Sequence, residues 1–170
     1  MFGPIRLSAR VLPGIAVILS GTAALAVPTA HADNKRLNSA VVSAVYTLQQ
    51  QAGCTNDVIS DNALTLAAQW HAEDMMNNRD INDDTGSDGS SPQDRANAAG
   101  FRGKAAETVA INPAIAISSL ELVDQWYGNP DDMAIIRDCA NTSIGVWSDN
   151  SLDRTVVVAV YGQPGWRNIR

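Results

Sequence analysis

The sequence predicts an α+β fold, a three-layer α/β/α sandwich around an antiparallel sheet, and three observations carry that prediction. Amphipathic helical patterns precede the sheet and recur between its strands. The segment Thr155–Tyr161 (TVVVAVY) is apolar without alternation, so both of its faces are covered. A chain of 170 residues, 45% of them apolar, suffices for a single real core.

The N-terminus stands outside that core. Arg6 and Arg10 precede an apolar stretch from Val11 to Val27, and Ala30-His31-Ala32 makes a small-x-small cleavage pattern before Asp33. This reads as a secretory signal peptide over residues 1–32, followed by one domain over residues 33–170. A membrane span needs about 20 apolar residues, and this stretch is shorter and broken by Pro13, Gly14 and Ser20. No span is expected once the signal is removed.

Leu37–Gln51 places Val41, Val45 and Leu48 on one helical face, and Gly53 ends it. Ser60-Asp61-Asn62 supplies N-caps for a second helix reaching about Asn77, with Leu64, Ala67, Ala68, His71 and Met75 along one stripe. From Asp80 to Ser91 the chain is polar and turn-rich, an exposed loop. Ser91 caps a short helix with Pro92 at its first position and Gly100 past its end. Ala105–Ile111 has strand character. Ser118 with Glu121 makes a capping box for a helix to Tyr127. Asn129, followed by Pro130, caps another short helix. Ser143–Trp147 and Thr155–Tyr161 are β-rich, with Ser148-Asp149-Asn150-Ser151 as the turn between them. Trp70, Met75, Trp126, Val157 and Ala159 are the expected core, and Trp166 the tryptophan expected to be exposed.

Charge and cysteine content narrow the function. Removing residues 1–32 leaves 10 basic against 18 acidic residues, a net charge of −8. Nucleic acid and anionic lipid call for a cationic footprint, so neither is an expected partner. Cys54 and Cys139 form an even pair in an oxidising compartment, where a disulfide is the default. It would close a loop of 85 residues and contribute roughly 4 kcal/mol. The rival reading, a reactive thiol and its partner, has no histidine near either cysteine in sequence and no C-x-x-C.

Four fragments stand in a fixed order: Ala67–Met75 (AAQWHAEDM), Thr85–Gly100 (TGSDGSSPQDRANAAG), Asn129–Ile136 (NPDDMAII) and Ser143–Val146 (SIGV). Together they resemble the small bacterial branch of the CAP superfamily, the cysteine-rich secretory and pathogenesis-related proteins. The resemblance covers roughly Leu37 to Pro164 and implies the same sandwich. It also implies a site, carried here by Asp84 and Asp132 at the two positions where the family has histidine. The family's G-E-N glutamate falls on Glu107, and a second glutamate of many eukaryotic relatives falls near Asn129.

All four candidates offer oxygen. Imidazole suits zinc, whereas carboxylates and carbonyls suit calcium, magnesium or manganese. No cofactor is expected beyond a weakly held hard divalent cation such as calcium, and zinc is disfavoured. A structural reading stands beside this one, since Asp131 and Asp132 begin a helix capped by Asn129, where acids gain about 0.3–1 kcal/mol each. An EF-hand reading of Asp80, Asn82 and Asp84 fails, because Thr85 and Ser91 occupy the positions of the required glycine and glutamate. Gly86-Ser87-Asp88-Gly89 does not fit G-x-S-x-G, since its serine is one place early. His71, turned inward on its helix, is expected to be a packed, hydrogen-bonded core residue.

The leading expectation is a secreted, monomeric, non-catalytic protein that binds a ligand or protein partner outside the cell or at the envelope. Lipid or sterol binding and host interaction are implied by the resemblance alone. The alternative is a divalent-metal-dependent hydrolase working through the acidic cleft. A structural wall protein is a third class, for which no repeat or anchor is visible.

Overall fold

The computed structural model describes residues 31–113 and 116–165. The signal-peptide reading of residues 1–32 falls almost wholly outside them, as does Trp166. Helix α1 (His31–Gln51) is followed by the short strand β1 (Ile59–Ser60), helix α2 (Asn62–Asn77) and helix α3 (Pro92–Ala99). Strand β2 (Gly103–Asn112), helices α4 (Ser119–Tyr127) and α5 (Pro130–Ile136), and strands β3 (Ser143–Ser151) and β4 (Arg154–Pro164) complete the chain.

Helix starts follow local chemistry. Asp61 Oδ1 accepts from Ala63 N and Leu64 N at the head of α2. Ser91 with Asp94, and Ser118 with Glu121, close reciprocal capping boxes on α3 and α4. Asn129 accepts from Asp131 N and Asp132 N on α5. Gly100 ends α3 in the left-handed region, at φ 99°, where any side chain would be strained.

The sheet order is β1-β3-β4-β2. Strand β4 lies between β2 and β3, antiparallel to both. Its alternate residues feed two cores. Val157, Ala159 and Tyr161 pack with α1, α4 and α5, while Val156, Val158 and Val160 pack with α2 and α3. The three-layer sandwich is therefore present, and the apolar run without alternation is its middle strand. At Gly145 of β3, an added Cβ would overlap the Leu64–Thr65 backbone, so α2 rests directly on the strand there.

Four details differ from the sequence expectation. The sheet is mixed, because β1 pairs in parallel with β3; two residues held by Ile59 N–Thr142 O and Asp61 N–Ile144 O contacts carry no periodic signal. The hairpin turn is Leu152-Asp153, with Ser151 opposite Arg154. The polar residues before it stay in the strand because α1 binds them: Asn34 Nδ2 donates to Ser148 O at 3.1 Å, and Ser148 Oγ to Asn38 Oδ1 at 2.8 Å. Helix α1 begins at His31, ahead of Leu37. Met75, Trp126, Val157 and Ala159 are buried, but Trp70 is 39% exposed. It stands beside the α2 stripe of Ala67, His71 and Met75, at its rim.

Cys54 and Cys139 are joined, with Cα atoms 5.3 Å apart. The bond links the end of α1 to the segment entering β3. Among the described residues, no helix is long and apolar enough to cross a membrane.

Candidate functional site

Four elements converge beside β2, an edge strand of the sheet. Helix α2 contributes His71, α3 contributes Arg95, β2 contributes Glu107, and the loop between α2 and α3 contributes backbone carbonyls. Arg95 is the hub. Its Nη1 donates to Ser90 O at 2.7 Å, and its Nη2 to Asp84 O at 2.7 Å and to Glu107 Oε1 at 2.9 Å. A buried guanidinium thus fixes the polar loop from beneath and pairs with the one buried carboxyl of β2. Asp74 of α2 holds the same loop from the side, accepting from Ser87 N and Ser87 Oγ.

His71 is fully buried. Its Nε2 lies 3.0 Å from Asp83 O and 3.4 Å from Glu107 Oε1. A carbonyl only accepts, so Nε2 carries the proton and donates to it. Burial is the main cause that lowers the His71 pKa, with the nearby Arg95 charge acting in the same direction. The neutral ring therefore leaves Nδ1 as a bare acceptor, and that atom has no partner. The expectation of a packed, hydrogen-bonded histidine holds. Its contact with Glu107 goes beyond that expectation.

Burial raises the Glu107 pKa above the usual carboxylate range, and the Arg95 guanidinium opposes that rise. Glu107 Oε2 is buried without a partner. The Asp84 side chain is exposed, whereas its backbone is held by Arg95. Asp132 is half-buried in the first turn of α5. Desolvation raises its pKa, a hydrogen bond from Asn129 lowers it, and the Asp131 and Asp84 charges add to the rise. The Asp84 charge also acts on Glu107, and the Asp132 charge on Tyr161, whose hydroxyl lies 3.0 Å from Thr108 Oγ1.

The Asp84 charge thus reaches both Glu107 and Asp132. The three carboxyls do not close on a single point. Among the described residues, no three of His, Cys, Asp and Glu stand close enough to hold one metal ion together. Asn129 uses its side-chain oxygen on the α5 cap, accepting from Asp131 N at 3.0 Å. Sequence reasoning did not find Arg95 and Asp74 as the loop's anchors. The sequence carries no signal for Arg95, because an arginine on a short polar helix is ordinarily exposed to solvent.

The cysteine-rich secretory protein (CAP) family model matches residues 36–161. No curated protein sequence matches the chain. Among solved structures, the chain is similar to an outer surface protein of Borrelia burgdorferi, with TM-score 0.66 and 19% identity over 77% of this chain and 95% of that one. It is also similar to an extracellular SCP-domain protein of Bacillus anthracis, with TM-score 0.64 and 14% identity over 76% of this chain. A cysteine-rich secretory protein of Staphylococcus aureus gives TM-score 0.52 and 10% identity over 75% of this chain. The chain spans 41% and 38% of the length of those last two proteins, so it corresponds to one part of each. At such identities the likeness shows the fold. The family match covers most of the chain, from α1 to the last buried residues of β4, and on that ground the chain belongs to the cysteine-rich secretory protein (CAP) family.

Proposed function

We propose that this chain is a secreted, non-catalytic CAP-domain protein that binds a ligand or protein partner outside the cell, with the region of Asp84, Asp132 and the buried Glu107 as its binding site. One observation carries the non-catalytic reading. His71, the histidine of the site, is buried and tied to Asp83 O, and both cysteines are in the disulfide. Neither a free thiol nor an accessible imidazole is at hand there to act as nucleophile or base. Secretion is supported by the disulfide, by the signal-like N-terminus, and by the extracellular and surface proteins to which the fold is similar.

Zinc does not fit the donor set. Both imidazole positions hold carboxylates, and Glu107 Oε1 is already bonded to Arg95. A hard cation such as calcium suits these oxygens better. The second reading, a divalent-metal-dependent hydrolase, draws on one observation, the buried and unpartnered Glu107 Oε2. Isothermal titration with calcium, manganese and zinc separates the two. Zinc is expected to give no saturable heat, and because the three positions do not close on one point, Asp84→His with Asp132→His is expected to leave zinc unbound as well. Micromolar or tighter zinc binding by the unmutated chain overturns the donor-set argument. A double variant that binds zinc tightly overturns the finding that the three positions stay apart.

A further inference from the structure

The loop between α2 and α3, which carries Asp83 and Asp84, is held by side chains that reach its backbone from beneath. Arg95 of α3 donates to Asp84 O and Ser90 O, and His71 of α2 to Asp83 O. The entry to the loop is held from a third direction. Arg154, the first residue of β4, donates from Nη1 to Arg79 O and from Nη2 to Ile81 O, each at 3.1 Å. Arg79 returns the contact, since its guanidinium donates to both carboxylate oxygens of Asp153, in the β3–β4 turn, at 2.9 Å.

The two arginine contacts differ in their surroundings. The Arg79 and Asp153 side chains are 50% and 67% exposed, and an ion pair in water contributes little. Arg154 is 9% exposed, and among the described residues it pairs with no carboxylate. Its Nε is buried without a partner. Burying a guanidinium against neutral carbonyls is costly, and an apolar side chain of similar volume fills the same space without that cost. An apolar side chain cannot, however, hold two loop carbonyls to β4, the strand between β3 and β2. We infer that Arg154 is a positioning residue for the candidate site. It pins the entry of the α2–α3 loop to β4 and so fixes where Asp83 and Asp84 stand before any ligand arrives. The inference rests on the reading of the Asp84 region as the binding site, but the order of the loop is measured without a ligand, so the two can fail separately.

The test is amide hydrogen exchange of the whole chain, followed residue by residue by nuclear magnetic resonance. Three amides bonded within the loop report on it: Ile81 N donates to Asn78 O, Thr85 N to Asp83 Oδ1 and Gly89 N to Gly86 O. In Arg154→Met, exchange at Ile81 and Thr85 should quicken by about tenfold or more, as for the loss of a hydrogen bond to a charged group. Gly89, on the side of the loop held by Arg95, should keep the parent's rate, and so should Val158 and Val160 of β4. Arg79→Ala removes the exposed ion pair but keeps the Arg79 carbonyl, so its rates should stay within about twofold of the parent's. Arg154→Lys, which keeps the charge and a donor, should recover part of the protection. Parent rates at Ile81 and Thr85 in Arg154→Met overturn the proposal. Faster exchange throughout β4, or a failure to fold, shows a role in general stability alone and overturns the assignment as a positioning residue. An equal effect of Arg79→Ala moves the hold to the exposed pair and overturns it as well, and a lysine no better than methionine overturns the role of the donated hydrogen bonds.

Discussion

Arg95 shows how one side chain can organise a polar loop. It is buried, and its two Nη atoms donate to Ser90 O, Asp84 O and Glu107 Oε1. Replacing it by methionine fills the space but leaves Glu107 as an uncompensated buried carboxyl, a loss of about 3–5 kcal/mol. The loss should depend on pH. With the guanidinium gone, nothing opposes the effect of burial, so the folded-state pKa of Glu107 rises further above its unfolded value. A group raised in this way binds more protons folded than unfolded between its two pKa values, and stability falls as pH rises through that window. Chemical denaturation of Arg95→Met should therefore show a larger deficit at pH 8 than at pH 5. Adding Glu107→Leu should recover most of the deficit at pH 8. A deficit independent of pH would mean that Arg95 acts through the loop carbonyls rather than through Glu107.

At the scale of elements, what could be read in advance was what neighbours in sequence decide. Caps and helix-starting prolines marked α2, α3, α4 and α5 correctly, because Asp61, Ser91, Ser118 and Asn129 bind backbone a few residues away. The expected core was right for four of its five residues, Met75 and Trp126 from helical periodicity and Val157 and Ala159 from a strand apolar on both faces. Strand β1 was not legible, since two residues held by β3 have no pattern of their own. The β3–β4 turn was misplaced because Asn34 and Asn38, more than a hundred residues earlier, hold polar residues in the strand. The site divides in the same way. Glu107 was found by its motif, but its ties to His71 and Arg95 are tertiary and leave no spacing signal. Gly145 tests the closest of these long-range fits. Gly145→Ala should cost roughly 1–3 kcal/mol, the range for forcing extra atoms into a packed contact, because the new methyl overlaps the Leu64–Thr65 backbone. Gly128→Ala, where a Cβ meets only ordinary contacts and the backbone is right-handed helical, should be neutral or slightly stabilising. Thermal melts of the two variants check this. Equal effects would show that α2 can slide off β3 without loss.

For the whole molecule, the covalent link sets the reference state. The Cys54–Cys139 bond spans 85 residues, a segment that contains α2, α3, β2, α4 and α5. Only α1 lies before it, and only β3 and β4 after it, among the described helices and long strands. The link therefore restricts most of the unfolded chain while adding little to native packing. Nearby native contacts do not depend on the sulfurs: Gln49 Nε2 donates to Asn141 O at 3.0 Å, and Asn141 Nδ2 to Ile135 O at 2.8 Å. Replacing both cysteines by serine should remove about 4 kcal/mol through chain entropy, a large share of the roughly 5–15 kcal/mol that holds a domain folded. The melting temperature should fall by roughly 10–15 °C. The near-ultraviolet circular dichroism at 20 °C should stay that of the parent, since the folded packing persists. The denaturant slope m should rise, because the unlinked chain exposes more surface on unfolding. A fall in stability with an unchanged m would mean that the bond acts in the folded state, on the junction of α1 and β3, and not on the unfolded ensemble.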